Sequence, residues 1–237
     1  MISQHDFNTR WWGQPVGIST EPSLLTRSPD ILGQLVEPFS WVEVRCPLDQ
    51  LPSGWLGPEN GFQFVDVQLS YRAPLHNLAP LSRSTSIVPA SESGLGDLAD
   101  LAPFTAERYS KLPGITPELL ALRYKKWAED LVAEHPDWCA TVLHEDRTAG
   151  YVFGSPDGTS AHFVLAASST RATTPGLVIY LAAAQFFASK GARQMQSALS
   201  STNVGALNAH MPLRCRFLQA TGVWIRMSPP AAQGRPN

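Results

Sequence analysis

Alternation of apolar and polar residues predicts strands in the first third of the chain. Residues 41–45 and 62–71 alternate in this way, with the period of two that a half-buried strand shows. Residues 28–37 favour a short helix. The N-terminal part is therefore predicted to mix strands with little helix.

Helical spacing replaces this alternation further along the chain. Thr116 is a good N-cap residue and Pro117 suits the first helical position, so a helix is predicted to begin there. Its apolar face follows at intervals of three or four residues, through Leu120, Tyr124, Trp127 and Leu131.

Three short strand candidates follow this helix, over residues 139–143, 149–153 and 161–166. The turns between them contain Glu-Asp and Pro-Asp-Gly, which favour antiparallel hairpins. A polar segment, 168–175, then leads into a predicted helix over 176–190, with Gly191 as its C-terminal glycine. A strand over 194–199, a helical or turn segment over 203–212 and a last strand over 217–227 complete the predicted order.

Composition changes once, where prolines and serines become frequent between Ala73 and Pro103. Such a stretch buries little surface and interrupts regular structure. We therefore predict an N-terminal domain over 1–80, a linker over 81–103 and a second domain over 104–230.

Charge and apolar runs exclude several classes of protein. The 237 residues carry a formal net charge of −2. The chain therefore lacks the excess of positive charge that attracts the phosphates of nucleic acid. No run of about 18 apolar residues could cross a membrane, and the N-terminus lacks the features of a secretory signal. We expect a cytoplasmic protein that binds neither nucleic acid nor membrane.

The three cysteines, Cys46, Cys139 and Cys215, are widely spaced and form no CxxC pair. Without histidines at suitable spacing they do not predict a zinc site. We expect buried or half-buried thiols and no metal, and a cysteine nucleophile remains an alternative.

The junction between the strand at 161–166 and the helix at 176–190 is the segment that points most clearly to a binding site. The first N–H groups of a helix have no internal partners, and the helix dipole favours an anion beside them. Arg171, Thr173 and Thr174 add donors, and Gly176 permits close approach of the backbone. The junction could hold a pyrophosphate, although an empty helix N-terminus has the same pattern.

The same segment resembles the acetyl-CoA core of the Gcn5-related N-acetyltransferase (GNAT) superfamily. Arg171 and Gly176 match its Arg/Gln-x-x-Gly-x-Gly/Ala loop, and Asn203 and Ala206 match its Asn-x-x-Ala-x-x-x-Tyr segment, with His210 in the tyrosine position. Three positions depart from the pattern: Thr174 replaces a loop glycine, His210 replaces the tyrosine, and Arg214 replaces a turn glycine. A residue that replaces the turn glycine must accept a positive φ or reroute the turn.

Upstream segments resemble the branch of this superfamily that contains the dTDP-fucosamine acetyltransferase. They are residues 6–17, 60–72, 104–109 and 124–127. The resemblance implies an α/β GNAT fold, with a mixed, mostly antiparallel sheet flanked by helices and a smaller, degenerate GNAT-like N-terminal domain.

The resemblance also implies transfer of an acetyl or related acyl group from acyl-CoA to a primary amine. The acceptor would be a small biosynthetic intermediate, with a nucleotide-linked amino sugar as a candidate. Cofactor contacts would come from backbone groups at Leu165 and Ala166, from Asn203, and from the loop Arg171, Ala172, Thr173, Thr174, Pro175, Gly176 and Leu177. His210 would protonate the leaving thiolate, with Asn203 assisting catalysis.

The amine site is less well defined. We predict Arg108, Tyr109 and His162 as substrate-binding residues, with His162, Glu107 and Asp137 as candidates for the base. A homodimer is a reasonable expectation for an enzyme of this kind.

Two other functions remain open because of the departures in the cofactor half. A GNAT-like protein with an altered loop could catalyse a different reaction or only bind a ligand. The chain could also be a non-catalytic interaction module whose N-terminal domain mediates dimerisation.

Overall fold

A computed structural model describes residues 1–54, 57–95, 98–104 and 107–228. The described residues form a mixed α/β structure. Its strands are β1 (Ser3–Gln4), β2 (Val16–Ser19), β3 (Trp41–Pro47), β4 (Gln63–Pro74), β5 (Thr85–Pro89), β6 (Cys139–His144), β7 (Arg147–Asp157), β8 (Ser160–Ser168), β9 (Gln194–Ser200) and β10 (Arg216–Met227). Its helices are α1 (Asp6–Trp12), α2 (Pro29–Val36), α3 (Ala90–Ser93), α4 (Pro117–Glu134), α5 (Gly176–Ser189) and α6 (Val204–His210).

The chain divides into two compact units. Of the described residues, unit 1 contains those within 1–68 and 220–228, and unit 2 contains those within 69–219. This division differs from the sequence-based one because residues 221–227 return to pair with β3, from Thr221 opposite Pro47 to Met227 opposite Trp41. Long-range pairing of this kind leaves no trace in composition.

The segment predicted as a linker contains regular structure. Within 81–103, β5 pairs antiparallel with β6 over five residue pairs, and α3 follows it directly. The flanking prolines and serines conceal a strand of only five residues, too short to establish an alternating pattern.

Unit 1 is a small sheet covered by helices. Strand β2 pairs antiparallel with β1 and parallel with β3, and β3 pairs antiparallel with the end of β10. A core of Leu24, Leu25, Leu32, Val36, Val42, Val44, Cys46, Phe62 and Trp224 lies between the sheet and α2. The predicted strand at 41–45 and helix at 28–37 are confirmed.

Unit 2 contains the predicted run of antiparallel hairpins. Strands β5, β6, β7 and β8 pair antiparallel in that order, and β9 pairs parallel with β8. Helix α5 packs closely on β7 because Gly150 and Gly154 present no side chain to it: a Cβ at Gly150 would lie 2.5 Å from Ile179 Cδ1, and one at Gly154 would lie 2.6 Å from Phe187 Cζ.

The helix ends behave as their residues predict. The Thr116 hydroxyl oxygen accepts a hydrogen bond from the Leu119 N–H (3.3 Å), which satisfies one of the free donors at the start of α4. Gly191 has a φ of 88° just after α5. Arg214 has a φ of 54°, so the turn keeps the geometry that glycine would favour, and its guanidinium donates to the His76 carbonyl oxygen (2.6 Å).

Close packing of α5 on the sheet can be tested with one methyl group. In Gly150→Ala the new Cβ would lie 2.4 Å from the Ala167 carbonyl oxygen. We expect the free energy of unfolding to fall by about 1–3 kcal/mol, because overpacking shifts backbone and side chains. Chemical denaturation monitored by circular dichroism measures the change.

Gly33→Ala in α2 is the matched control. No atom lies within 4 Å of the position that the new methyl group would take, and alanine favours the helix, so the free energy of unfolding should rise by up to about 1 kcal/mol. A Gly150→Ala protein as stable as the wild type would contradict the packing described above.

Candidate functional site

Strands β8 and β9 separate soon after they begin to pair. They pair over three residue pairs, from Ser160 opposite Gln194 to His162 opposite Gln196, although β8 continues to Ser168 and β9 to Ser200. Close to the separation, Val164 is an extra residue in β8, where its register with β7 shifts. A bulge of this kind bends a strand. Backbone groups in the second half of β8 therefore face a gap instead of β9.

The loop after β8 is anchored at its start. The Ser169 N–H donates to the Ala149 carbonyl oxygen (3.0 Å) and the Thr170 N–H to the Asp100 carbonyl oxygen (2.9 Å). The Ser169 hydroxyl (2.5 Å) and the Thr170 hydroxyl both donate to the Asp100 carboxylate. These hydrogen bonds lower the pKa of Asp100, so its carboxylate remains ionised at neutral pH.

The end of the loop has free donors. Among the described residues, no acceptor bonds the backbone N–H of Thr173, Thr174, Gly176 or Leu177. Pro175 precedes the first turn of α5 without a side-chain cap, and that turn contains no acidic residue. Four N–H groups and the positive end of the helix dipole therefore favour an anion at this position.

The loop borders two clefts. A cleft of about 480 Å³ is lined by the start of α5 and by α6, through Gly176, Leu177, Tyr180, Asn203, Gly205, Ala206, Asn208 and Ala209. A second cleft of about 430 Å³ has Arg171 and Asp100 in its wall. We call them the α5–α6 cleft and the Arg171 cleft.

The predicted cofactor residues lie together around the gap and these clefts. Leu165 and Ala166 are in the separated half of β8, opposite Phe153 and Val152 of β7. In the loop, Arg171, Thr173, Pro175 and Gly176 are exposed, and Ala172, Thr174 and Leu177 are half-buried. Their contact with a cofactor stays a prediction.

Asn203 has a structural role and a place in the cleft. Its Oδ1 accepts a hydrogen bond from the Ala206 N–H (3.0 Å), which caps α6. The same residue lines the α5–α6 cleft. The cap fixes the side chain, and in the described part of the chain no acceptor bonds its amide nitrogen.

His210 is buried, with only 2% of its surface exposed. Its Nδ1 is 2.6 Å from the Ala206 carbonyl oxygen and its Nε2 is 2.7 Å from the Tyr71 hydroxyl. Burial lowers the pKa of His210, so the ring is neutral at pH 7. A neutral ring with both nitrogens engaged is poorly suited to give a proton directly to a thiolate, and the predicted acid role remains without a supporting contact.

The predicted amine-site residues are spread over different environments. Tyr109 is fully buried, and the guanidinium of Arg108 lies 4.5 Å above its ring. Both carboxylate oxygens of Glu107 accept hydrogen bonds, one from the Tyr109 N–H and one from the Tyr124 hydroxyl. Of the candidate bases, His162 on β8 and Asp137 are exposed.

The structure gives little support to a cysteine nucleophile. Cys46 and Cys139 are buried and Cys215 is half-buried, as predicted. Burial raises the pKa of Cys139 and of Cys215 to about 11, so both thiols are protonated and weakly nucleophilic at neutral pH. In the described ranges, no group of three or more His, Cys, Asp or Glu side chains could hold a metal.

No helix in the described part of the chain is both long and apolar enough to cross a bilayer.

Three residues around the loop and cleft escaped sequence analysis. Asp100 lies in the stretch predicted as a linker, far from the loop that it anchors. Tyr71 and Tyr180 have only the apolar spacing of a strand and a helix. Their proximity to His210, with ring centroids 4.4 and 4.5 Å away, depends on contacts that no local pattern contains.

Comparison with solved structures identifies the fold. A GCN5-related N-acetyltransferase from Sphaerobacter thermophilus superposes with a TM-score of 0.52 at 11% identity, over 85% of this chain and 66% of that one. One from Kribbella flavida superposes with a TM-score of 0.51 at 9% identity, over 92% and 83%. A functionally unknown conserved protein from Staphylococcus epidermidis ATCC 12228 gives 0.56 at 10% identity, over 91% and 85%.

No family sequence model matches the chain, and no curated protein matches it. The predicted α/β GNAT fold is confirmed by the strand pairing and by the structural neighbours. At 9–11% identity this likeness concerns the fold alone.

The burial of His210 predicts a pH dependence of stability. Its pKa is below 6.5 in the folded protein and near 6.5 in the unfolded chain. Between these two values the unfolded state binds more protons, so the free energy of unfolding falls as the pH falls from about 6.5 to the folded pKa. His210→Phe should remove this part of the slope.

At pH 8 the same variant should lose about 1–3 kcal/mol, because the Tyr71 hydroxyl and the Ala206 carbonyl lose a buried partner. Urea titrations of both proteins from pH 5 to 8 measure both effects. An unchanged slope in His210→Phe would mean that another group causes it.

Proposed function

We propose that unit 2 binds acetyl-CoA or a related acyl-CoA and transfers the acyl group to a primary amine of a small molecule. This proposal rests on two sets of unpaired backbone groups that lie next to each other along the chain. The second half of β8 pairs with β7 on one side but no longer with β9 on the other. Among the described residues, no acceptor bonds the N–H groups of Thr173, Thr174, Gly176 and Leu177, which follow it. An extended ligand with an anionic end could form hydrogen bonds with both sets.

The chemistry of the loop fits a pyrophosphate. Backbone N–H groups at a helix N-terminus bind phosphate oxygens without a sequence-specific side chain. Arg171 supplies a positive charge on the exposed side of the loop. The Asp100 carboxylate is already bonded by two hydroxyls, and it holds the loop from its start while the later N–H groups stay free.

The gap beside β8 fits the rest of the cofactor. A pantetheine arm carries amide groups, and these can form the hydrogen bonds that β9 does not form with β8, as an added strand would. The thioester that this cofactor supplies is the activated acyl group. N–H groups near Leu165 and Ala166 would polarise its carbonyl and stabilise the oxyanion that forms on attack.

The transfer itself requires few groups. A neutral amine held beside the carbonyl attacks directly, with much of the rate gain coming from positioning. The amine then loses a proton to water or to an exposed base, and His162 is the candidate on β8. The acceptor that we propose is a small biosynthetic amine; a nucleotide-linked amino sugar is suggested by the sequence resemblance of residues 6–17 and 60–72.

Calorimetric titration with acetyl-CoA tests the cofactor, and a panel of amines with a free-thiol assay tests the transfer. Binding with turnover on one of the amines supports the proposal. Binding without turnover on any of them favours a protein that only binds its ligand, and no binding to acetyl-CoA or CoA excludes the proposal.

The loop can be tested by reversing one charge. Arg171→Glu should weaken CoA binding at least about tenfold, because a charge-assisted hydrogen bond is lost and a repulsive charge is added. The same calorimetric titration measures the change.

Arg193→Glu provides the matched control. Arg193 is also exposed and its N–H bonds the Thr159 carbonyl oxygen just before β8, at the opposite end of that strand from the loop. Its affinity for CoA should stay within about twofold of the wild type, since nine strand residues of about 3.3 Å each separate it from the loop. Equal affinities for the two variants would place the anion elsewhere.

A further inference from the structure

A pocket beside α4 differs from the two clefts at the loop because most of its lining is apolar. Its volume of about 570 Å³ lies within the range of small-molecule sites in proteins. The apolar lining comes from the segment 98–104 and from α4, and it includes Leu98, Leu101, Phe104, Ala121, Leu122 and Tyr124. We call this cavity the α4 pocket.

The polar side chains of the α4 pocket lie where solvent reaches them. Ser110 and Glu118 are exposed, and Lys125 is half-buried. Tyr124 is the most buried residue of the lining; its ring stacks on Phe104 with centroids 3.7 Å apart, and its hydroxyl already donates to a buried carboxylate. A polar group at this buried side would lose its water without gaining a partner. The lining therefore suits an occupant whose inner part is hydrocarbon.

Hydrogen bonds and packing join the α4 pocket to the second half of β8. The Ala102 N–H, in the pocket wall, donates to the Ser168 carbonyl oxygen (2.8 Å) at the end of that strand. Leu101 and Tyr124 of the wall pack in one hydrophobic cluster with Leu165. The pocket thus lies on the face of the sheet toward which the Leu165 side chain points.

We propose that the α4 pocket holds the acyl chain of the donor, and that this donor is a medium-chain acyl-CoA. The inference rests on the proposed function and names the acyl group that is transferred. The thioester carbonyl would lie at the N–H groups near Leu165 and Ala166. From there the alkyl chain extends along the cluster toward α4, and its far end lies between Ala121 and the segment 98–104.

The length of the chain is the property that the pocket selects. An acetyl group ends in a single methyl group and would leave the apolar lining without an occupant. Each methylene group that is buried in an apolar site should raise the affinity about two- to fourfold. Hexanoyl-CoA has four more methylene groups than acetyl-CoA, so it should bind at least about tenfold more tightly.

The measurement is calorimetric titration of the full chain with acetyl-CoA and with hexanoyl-CoA. The ratio of the two affinities reports the acyl chain alone, because the nucleotide, the pyrophosphate and the pantetheine arm are the same in both ligands. The ratio in the wild type tests the proposal without any substitution.

Two substitutions locate the chain. Ala121 is exposed on α4, so Ala121→Trp adds a large ring to the pocket without replacing a core residue. Leu122 is 42% exposed, and Leu122→Glu places a carboxylate where the proposal has hydrocarbon. In each variant the ratio should fall below about threefold, and circular dichroism verifies the fold.

Ala133→Trp is the matched control. Ala133 is exposed on the same helix but does not line the pocket, so the ratio should stay within about twofold of the wild-type value. This control separates loss of the pocket from the general effect of a tryptophan on the surface of α4.

Each outcome has one meaning. A ratio of about ten or more in the wild type and in Ala133→Trp that falls in the two pocket variants supports the proposal. No preference for hexanoyl-CoA in the wild type overturns it, and so does a preference that Ala121→Trp or Leu122→Glu retains in full; in either case measured acetyl-CoA binding leaves the proposed function standing. If the wild type binds neither ligand, the proposed function fails and this inference fails with it.

Discussion

Two parallel strands that pair for three residues and then separate impose the main constraint on unit 2. Backbone N–H and carbonyl groups must be paired or hydrated, and the second half of β8 has lost one neighbour. The next segment adds the unpaired N–H groups at the start of α5. A ligand with amides along its length and an anion at its end would satisfy both sets, which is why we propose an acyl-CoA.

Packing in the core holds the separated half of β8 and the N-terminus of α5 in place. Ala182, Ala183 and Ala184 of α5 are fully buried, and the missing side chains of Gly150 and Gly154 let the helix lie close to β7. Asp100 then anchors the loop between strand and helix through Ser169 and Thr170. Packing and hydrogen bonding therefore place the N-terminus of α5 at the end of β8, while the tip of the loop keeps its donors free.

Sequence predicted most elements of unit 2, because their signals are local. The Thr116 cap, the hairpin turns and the glycine after α5 each act within a few residues. For Arg214 the sequence left two alternatives, a positive φ or a rerouted turn, and the structure has the positive φ. The pairing of residues 221–227 with β3, the short β5 and the anchoring by Asp100 depend on contacts between distant segments. The same is true of His210: its position was identified from a motif, but its burial against Tyr71 depends on a residue 139 positions away.

Amide hydrogen–deuterium exchange with and without saturating CoA tests the central claim, that the unpaired backbone groups of β8 and of the following loop hold one ligand. Exchange should slow at Thr173, Thr174, Gly176 and Leu177 and in the second half of β8, while β5 and β6 exchange at unchanged rates. Protection confined to other segments, or none at saturating CoA, would contradict the account.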